Sequence, residues 1–121
     1  IYDESFDIGI RDIVGAQSFV KKHSGVSGFV CSSAERGEQM VQTFASMKIK
    51  IPEQVSLACA NPPAPEATLG IKLSGVGFCP QKEVEMCFEL LRQQGLTREW
   101  SIGTAMLAPF VVEGESIGEP A

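Results

Sequence analysis

The chain has 121 residues, 44% hydrophobic and 21% charged, which is room for one modest core and short for two domains. Ten Lys and Arg against fifteen Asp and Glu give a net charge of -5. With the cations scattered and Lys21-Lys22 the densest pair, this argues against nucleic-acid binding by the chain itself, because phosphate contacts need clustered cations.

No apolar run reaches the length of a membrane span, and no signal-peptide pattern opens the sequence. The start at Ile1-Tyr2-Asp3-Glu4 lacks an initiator Met and reads as a piece of a longer protein, with a processed product as the alternative. In chain order, the first element predicted is a helix over 7–23, with Ile10, Ile13, Val14 and Val20 near helical spacing and Ser24-Gly25 as a stop. Gly28-Phe29-Val30-Cys31 is a continuous apolar run, the pattern of a strand buried on both faces. Ser32-Ser33-Ala34-Glu35 follows as a Ser-x-x-Glu capping box. It opens a helix over 34–47 whose inner face carries Met40, Val41, Phe44 and Met47, and which must end before Pro52.

Residues 55–60 form the next predicted strand, broken at Asn61-Pro62-Pro63-Ala64-Pro65, where prolines forbid both helix and ladder. Leu73 to Phe78 reads as a strand or extended crossing, with Gly75 and Gly77 marking bends or close backbone approach. Pro80 starts a third helix over 80–94 with Val84, Cys87, Phe88 and Leu91 as its inner stripe and Gly95 as its stop. Met106 to Val112 is the last strand, interrupted by Pro109. The alternation implies βαβ units, hence an α/β fold with a parallel sheet and flanking helices. Strands 28–32 and 55–60 should pair in parallel through a right-handed crossover. In such a sheet ligands bind off the C-terminal strand ends, and two loops leave there, at Ser32-Ser33 and at Asn61-Pro62.

The four cysteines contain no CxxC pair and the single histidine, His23, brings no second ligand type near them, so no metal site is expected. Three of the four sit within or beside apolar runs and read as small buried thiols of a reducing cytosol, with a disulfide framework as the weaker alternative. Gly75-Val76-Gly77 is a lone GxG, too little for a nucleotide loop. No carboxylate pair or nucleophile–base pair stands out, so neither catalysis nor a cofactor is expected.

From Gly28 onward the chain resembles the effector-binding domain of lactose-repressor/galactose-repressor-type transcription regulators. Gly28 to Glu35 resembles the family's strand ending in a small residue and Asn-Asp before a helix. Ile51-Pro52-Glu53 with Val55-Ser56 matches its V-P-x-D-V-S-V turn. Cys59-Ala60-Asn61 stands where the family has Gly, an aromatic and Asp. Leu73 to Val76 resembles its Leu-Thr-Thr-Val, residues 80–91 its next helix, and Phe110 to Ser116 its terminal L-V-x-R-x-S.

The resemblance implies a cytoplasmic regulator with a periplasmic-binding-protein-like sensor of two subdomains and a sugar-like effector in the cleft between them. Residues 1–121 would be the C-terminal part of that sensor, with 80–108 belonging to the neighbouring subdomain. A helix-turn-helix domain, absent here, would contact operator DNA, and a homodimer is expected. The chain alone should then bind neither DNA nor effector strongly. A solute-binding receptor of a transport system would share the fold and is the alternative.

Four residues carry over as effector-binding candidates. Asn61 stands where many members hold an Asp that accepts from sugar hydroxyls, or it opens the Pro-rich turn. Ser33 matches the family's Asn before the acidic residue, or it caps the helix with Ser32. Phe6 could face a sugar ring or pack in the core, and Phe78 could border the cleft or fill the hinge. Ala34 replaces the usual acidic residue, and Ala60-Asn61-Pro62 replaces aromatic-Asp-Asp. The resemblance therefore carries no standard pyranose site across and names no effector. Helix 80–94 is also expected to fold back on the chain's own sheet or to pack on a second copy, because its stripe is too apolar to leave in water.

Overall fold

A computed structural model describes residues 12–97 and 105–119. Helix α1 spans Ile13–Lys22, where Asp12 caps the start by accepting from Gly15 N at 2.7 Å. Residues 7–11 of the expected first helix lie outside the described residues. Strand β1 is Gly28–Cys31, helix α2 Ala34–Ser46, strand β2 Ser56–Ala60 and strand β3 Ser74–Gly77. Helix α3 is Pro80–Thr97 and strand β4 Phe110–Val112.

The described strands form one sheet in the order β1-β2-β3-β4. β1 pairs with β2 in parallel, Gly28 against Ser56 through Cys31 against Cys59, and β2 with β3 in parallel, Ala58 against Ser74. The expected pairing of the first two strands is therefore present. The expectation of a wholly parallel sheet is not met, because β4 runs antiparallel to β3, with Gly77 opposite Phe110 and Gly75 opposite Val112. After α3 the chain re-enters the sheet at the end where β3 left it, so its last strand must run the other way. That strand is also shorter than expected: only Phe110–Val112 pairs, and Met106 is exposed.

The core lies on one face of the sheet. Phe44, Val41 and Met40 of α2, Leu57 and Cys59 of β2, Cys31 of β1, Ala16 and Val20 of α1, and Leu73 form one buried cluster. The Phe44 ring meets Phe29 edge-on at 5.2 Å, and Phe29 meets Phe19 at 6.4 Å, linking α2, β1 and α1. Each large side chain removed from water here contributes roughly 1.5–3 kcal/mol. β1 was expected to be buried on both faces; instead Val30 is 85% exposed. Helix α2 packs on β1 and β2 and α1 packs on α2; among the described residues no helix covers the opposite face, where Val30, Val76 and Val111 are exposed.

The first glycine of the β3 strand is required by contact: a Cβ at Gly75 would collide with the Cys59 carbonyl oxygen. The segment after β4 closes the other end of the sheet. Ser116 lies fully buried between β2 and β3. Its carbonyl accepts from Leu57 N at 2.8 Å, its hydroxyl donates to the Leu57 carbonyl, and that hydroxyl accepts from Ser74 N at 2.8 Å. This one residue completes the ladder where the two strands diverge.

Helix α3 departs from one expectation and narrows another to its second alternative, packing on a second copy. It runs through Gly95, which keeps helical geometry instead of the left-handed turn a stop requires, and continues to Thr97. It also does not fold back: Val84, Phe88 and Leu91 are 54%, 68% and 63% exposed. Among the four cysteines, Cys31 and Cys59 are buried as expected, whereas Cys79 is half-buried and Cys87, on α3, is exposed. No helix among the described residues is long and apolar enough to cross a membrane.

Candidate functional site

Three parallel strands end at one edge, and three of the four candidate residues stand there. Ser33 follows β1, Asn61 follows β2 and Phe78 follows β3. Phe6 lies outside the described residues.

Ser33, not Ser32, caps α2. Its backbone is extended and its Oγ accepts from Arg36 N at 3.3 Å. The Ser-x-x-Glu reading placed the cap one residue early, because two adjacent serines offer the same side chain and only the backbone turn selects between them. The Ser33 carbonyl accepts from Gly37 N at 3.0 Å and from the Cys59 thiol at 3.2 Å, so the β1 loop is tied to the end of β2.

Asn61 ties the end of β2 to the end of β3. It adopts a left-handed φ of 49°, a conformation Asn tolerates better than most side chains. Its backbone N donates to Val76 O at 2.7 Å, and its Oδ1 accepts from Phe78 N at 3.1 Å. Both alternatives raised for Asn61 are compatible with this geometry. The side-chain oxygen is spent on the turn, while the exposed residue still has its Nδ2 to donate. Phe78 is half-buried beside it. Asn61 and Phe78 are thus directly bonded, and Ser33 reaches the same edge through Cys59.

Two thiols lie behind this edge. Burial pushes the Cys31 thiol up to about 12, with the neighbouring Cys59 adding to the effect and Arg36 opposing it. Burial likewise raises Cys59. Both thiols hold their protons at neutral pH, which leaves them poor nucleophiles. No cluster of three or more His, Cys, Asp or Glu able to hold a metal ion occurs among the described residues.

Sequence reasoning missed Cys59 as a link in this edge, although its register position opposite Cys31 follows once β1 and β2 pair. It also missed an open polar groove lined by Asp12, Glu35, Arg36, Gln39 and Gln42. The i, i+3 and i+4 spacing of those α2 residues was the available signal. In comparisons with known proteins, no family model matches the sequence, and no curated protein matches it.

Proposed function

We propose that this chain is the effector-sensing region of a lactose-repressor-type transcription regulator and is not catalytic. It would bind a small, sugar-like molecule between the α/β body and a neighbouring subdomain. The observation that carries this reading is the gathering of Ser33, Asn61 and Phe78 at the C-terminal strand edge, where open α/β sheets bind ligands. The departure of α3 from that same edge without packing on the body supports it, since 80–108 would then belong to the second subdomain.

In this reading Asn61 Nδ2 donates to a ligand oxygen, the Ser33 hydroxyl donates its remaining proton, and the Phe78 ring covers an apolar face of the ligand. The ligand would shift the balance between two subdomain arrangements by contacting them unequally, and the arrangement would set the spacing of two operator-binding heads. His23 supports the non-catalytic reading. It caps the end of α1, its ring tilted against Phe19 at 4.6 Å, and leads into the opposite end of β1.

The coding sequence upstream should encode a helix-turn-helix. A panel of monosaccharides, sugar acids and polyols, titrated calorimetrically into the protein with its neighbouring subdomain, should include a binder. Asn61→Asp keeps the acceptor for Phe78 N but removes the Nδ2 donor, and should weaken that binder about tenfold, equivalent to roughly 1.4 kcal/mol. A tight, salt-sensitive complex of this chain alone with duplex DNA would count against the reading.

A further inference from the structure

The edge where Ser33, Asn61 and Phe78 gather is unequal in its hydrogen-bonding groups. Its acceptors are committed inside the fold, and its side-chain donors are not. Asn61 Oδ1 accepts from Phe78 N, and Ser33 Oγ accepts from Arg36 N. The carbonyls of the edge are committed as well. Ser33 O accepts from Gly37 N and from the Cys59 thiol, and Ala60 O accepts from the same thiol. Val76 O accepts from Asn61 N, and Cys79 O from Glu83 N. Against these stand the amide protons of Asn61 Nδ2 and the hydroxyl proton of Ser33, which find no acceptor among the described residues.

The charge of the edge has the same sense. Ser33, Asn61 and Phe78 carry no ionisable group. Glu35, the carboxylate in the first turn of α2, lines the groove beside Asp12 and Ile13 of the α1 start. Arg36 lines that groove too, yet its charge is felt at the end of β1, where it opposes the upward push of burial on the Cys31 thiol.

We infer that the part of the effector held by this edge is a carboxylate, which makes the effector a small organic acid and not a neutral sugar. Carboxylate oxygens only accept, and each can take a proton from Asn61 or Ser33 in a charge-assisted bond. A sugar hydroxyl accepts too, but it brings a proton of its own. Where the acceptors are committed that proton goes unpaired, at a cost of roughly tenfold in affinity. The Phe78 ring, half-buried beside Asn61, covers the carbon skeleton next to the acid group. A phosphate, with three acceptor oxygens and a larger charge, would outnumber the donors of this edge. The inference rests on the effector-sensing reading and narrows it to one chemical class.

Calorimetric titration of the full-length protein with matched compounds tests it. The pairs are gluconate against glucitol, galacturonate against galactose, and galacturonate against its methyl ester. An acid should bind about tenfold or more tightly than its neutral counterpart. Asn61→Asp keeps the acceptor for Phe78 N, and Ser33→Asp keeps a side chain able to cap α2. Both variants should retain the parent's thermal transition. Each removes a donor and adds a like charge, and should weaken the acid about tenfold while sparing the neutral compound. Ser33→Asn, which caps and still donates, should hold the acid's affinity within about threefold.

A neutral sugar that binds as tightly as its acid would overturn the inference and leave the sensing reading standing. So would glucose 6-phosphate binding more tightly than gluconate, or an acid whose affinity ignores both Asp variants. If none of these compounds binds the full-length protein, the inference and the reading beneath it fall together.

Discussion

Helices α2 and α3 begin from the same kind of sequence and meet opposite fates. Each carries an apolar stripe at helical spacing, Met40, Val41 and Phe44 in one and Val84, Phe88 and Leu91 in the other. The first three are buried, and the last three are mostly in solvent. The difference lies in what each helix is joined to. A short loop returns α2 between two paired parallel strands, and a parallel connection of that kind must lay its helix on a sheet face. Helix α3 connects β3 to an antiparallel neighbour, and that connection imposes no such packing. Amphipathicity therefore states that a helix has something to bury and leaves open where it does so.

The largest expected effect separates the helices directly. Phe44→Ala should cost about 3–5 kcal/mol, since the ring is fully buried and in contact with Phe29. Phe88→Ala should stay within about 0.5 kcal/mol when unfolding is measured at concentrations where copies are apart. Equal losses in a chemical-denaturation series would break the contrast.

A smaller effect is expected at Ser116, which holds β2 to β3 at a place α3 does not touch. Ser116→Ala keeps the space nearly filled but leaves Ser74 N and the Leu57 carbonyl short of a partner. It should destabilise by about 1–3 kcal/mol. The loss should be absent from any variant confined to α3.

The mildest test uses pH. The folded Cys31 thiol, pushed up to about 12 against an ordinary value of 9.0, holds its proton more tightly than the unfolded chain does. The corresponding stability is fully present below pH 9 and is lost as pH rises from 9 towards 12. Thermal midpoints should fall over that range less steeply in Cys31→Ala than in the parent. An identical slope in both would show that α2 does not shield the thiol beneath it.

Much of the candidate edge was legible in advance because strand ends and turn formers are local features. Ser33 and Asn61 are placed by the end of an apolar run and by a Pro-rich break. What each side chain does there was not legible. The Asn61 Oδ1 finds Phe78 N only because β3 lies beside β2, 17 residues along the chain. The cap fell to Ser33 because the backbone turns there. Gly95 looked like a stop, but a glycine ends a helix only when it takes the left-handed conformation, and here it does not.

By itself the sequence determined the order and kind of elements, because periodicity, caps and prolines act within a few residues. Those signals place α2 between two strands and make the pairing of β1 with β2 the expected one. Only the tertiary structure decided that β4 runs antiparallel, that no described helix covers one sheet face, that Ser116 bridges β2 and β3, and that the apolar stripe of α3 is exposed. Each of these depends on groups brought together from distant positions. The Ser116 hydroxyl and the Leu57 carbonyl are 59 residues apart, and no pattern along the chain encodes such a meeting until the sheet has formed.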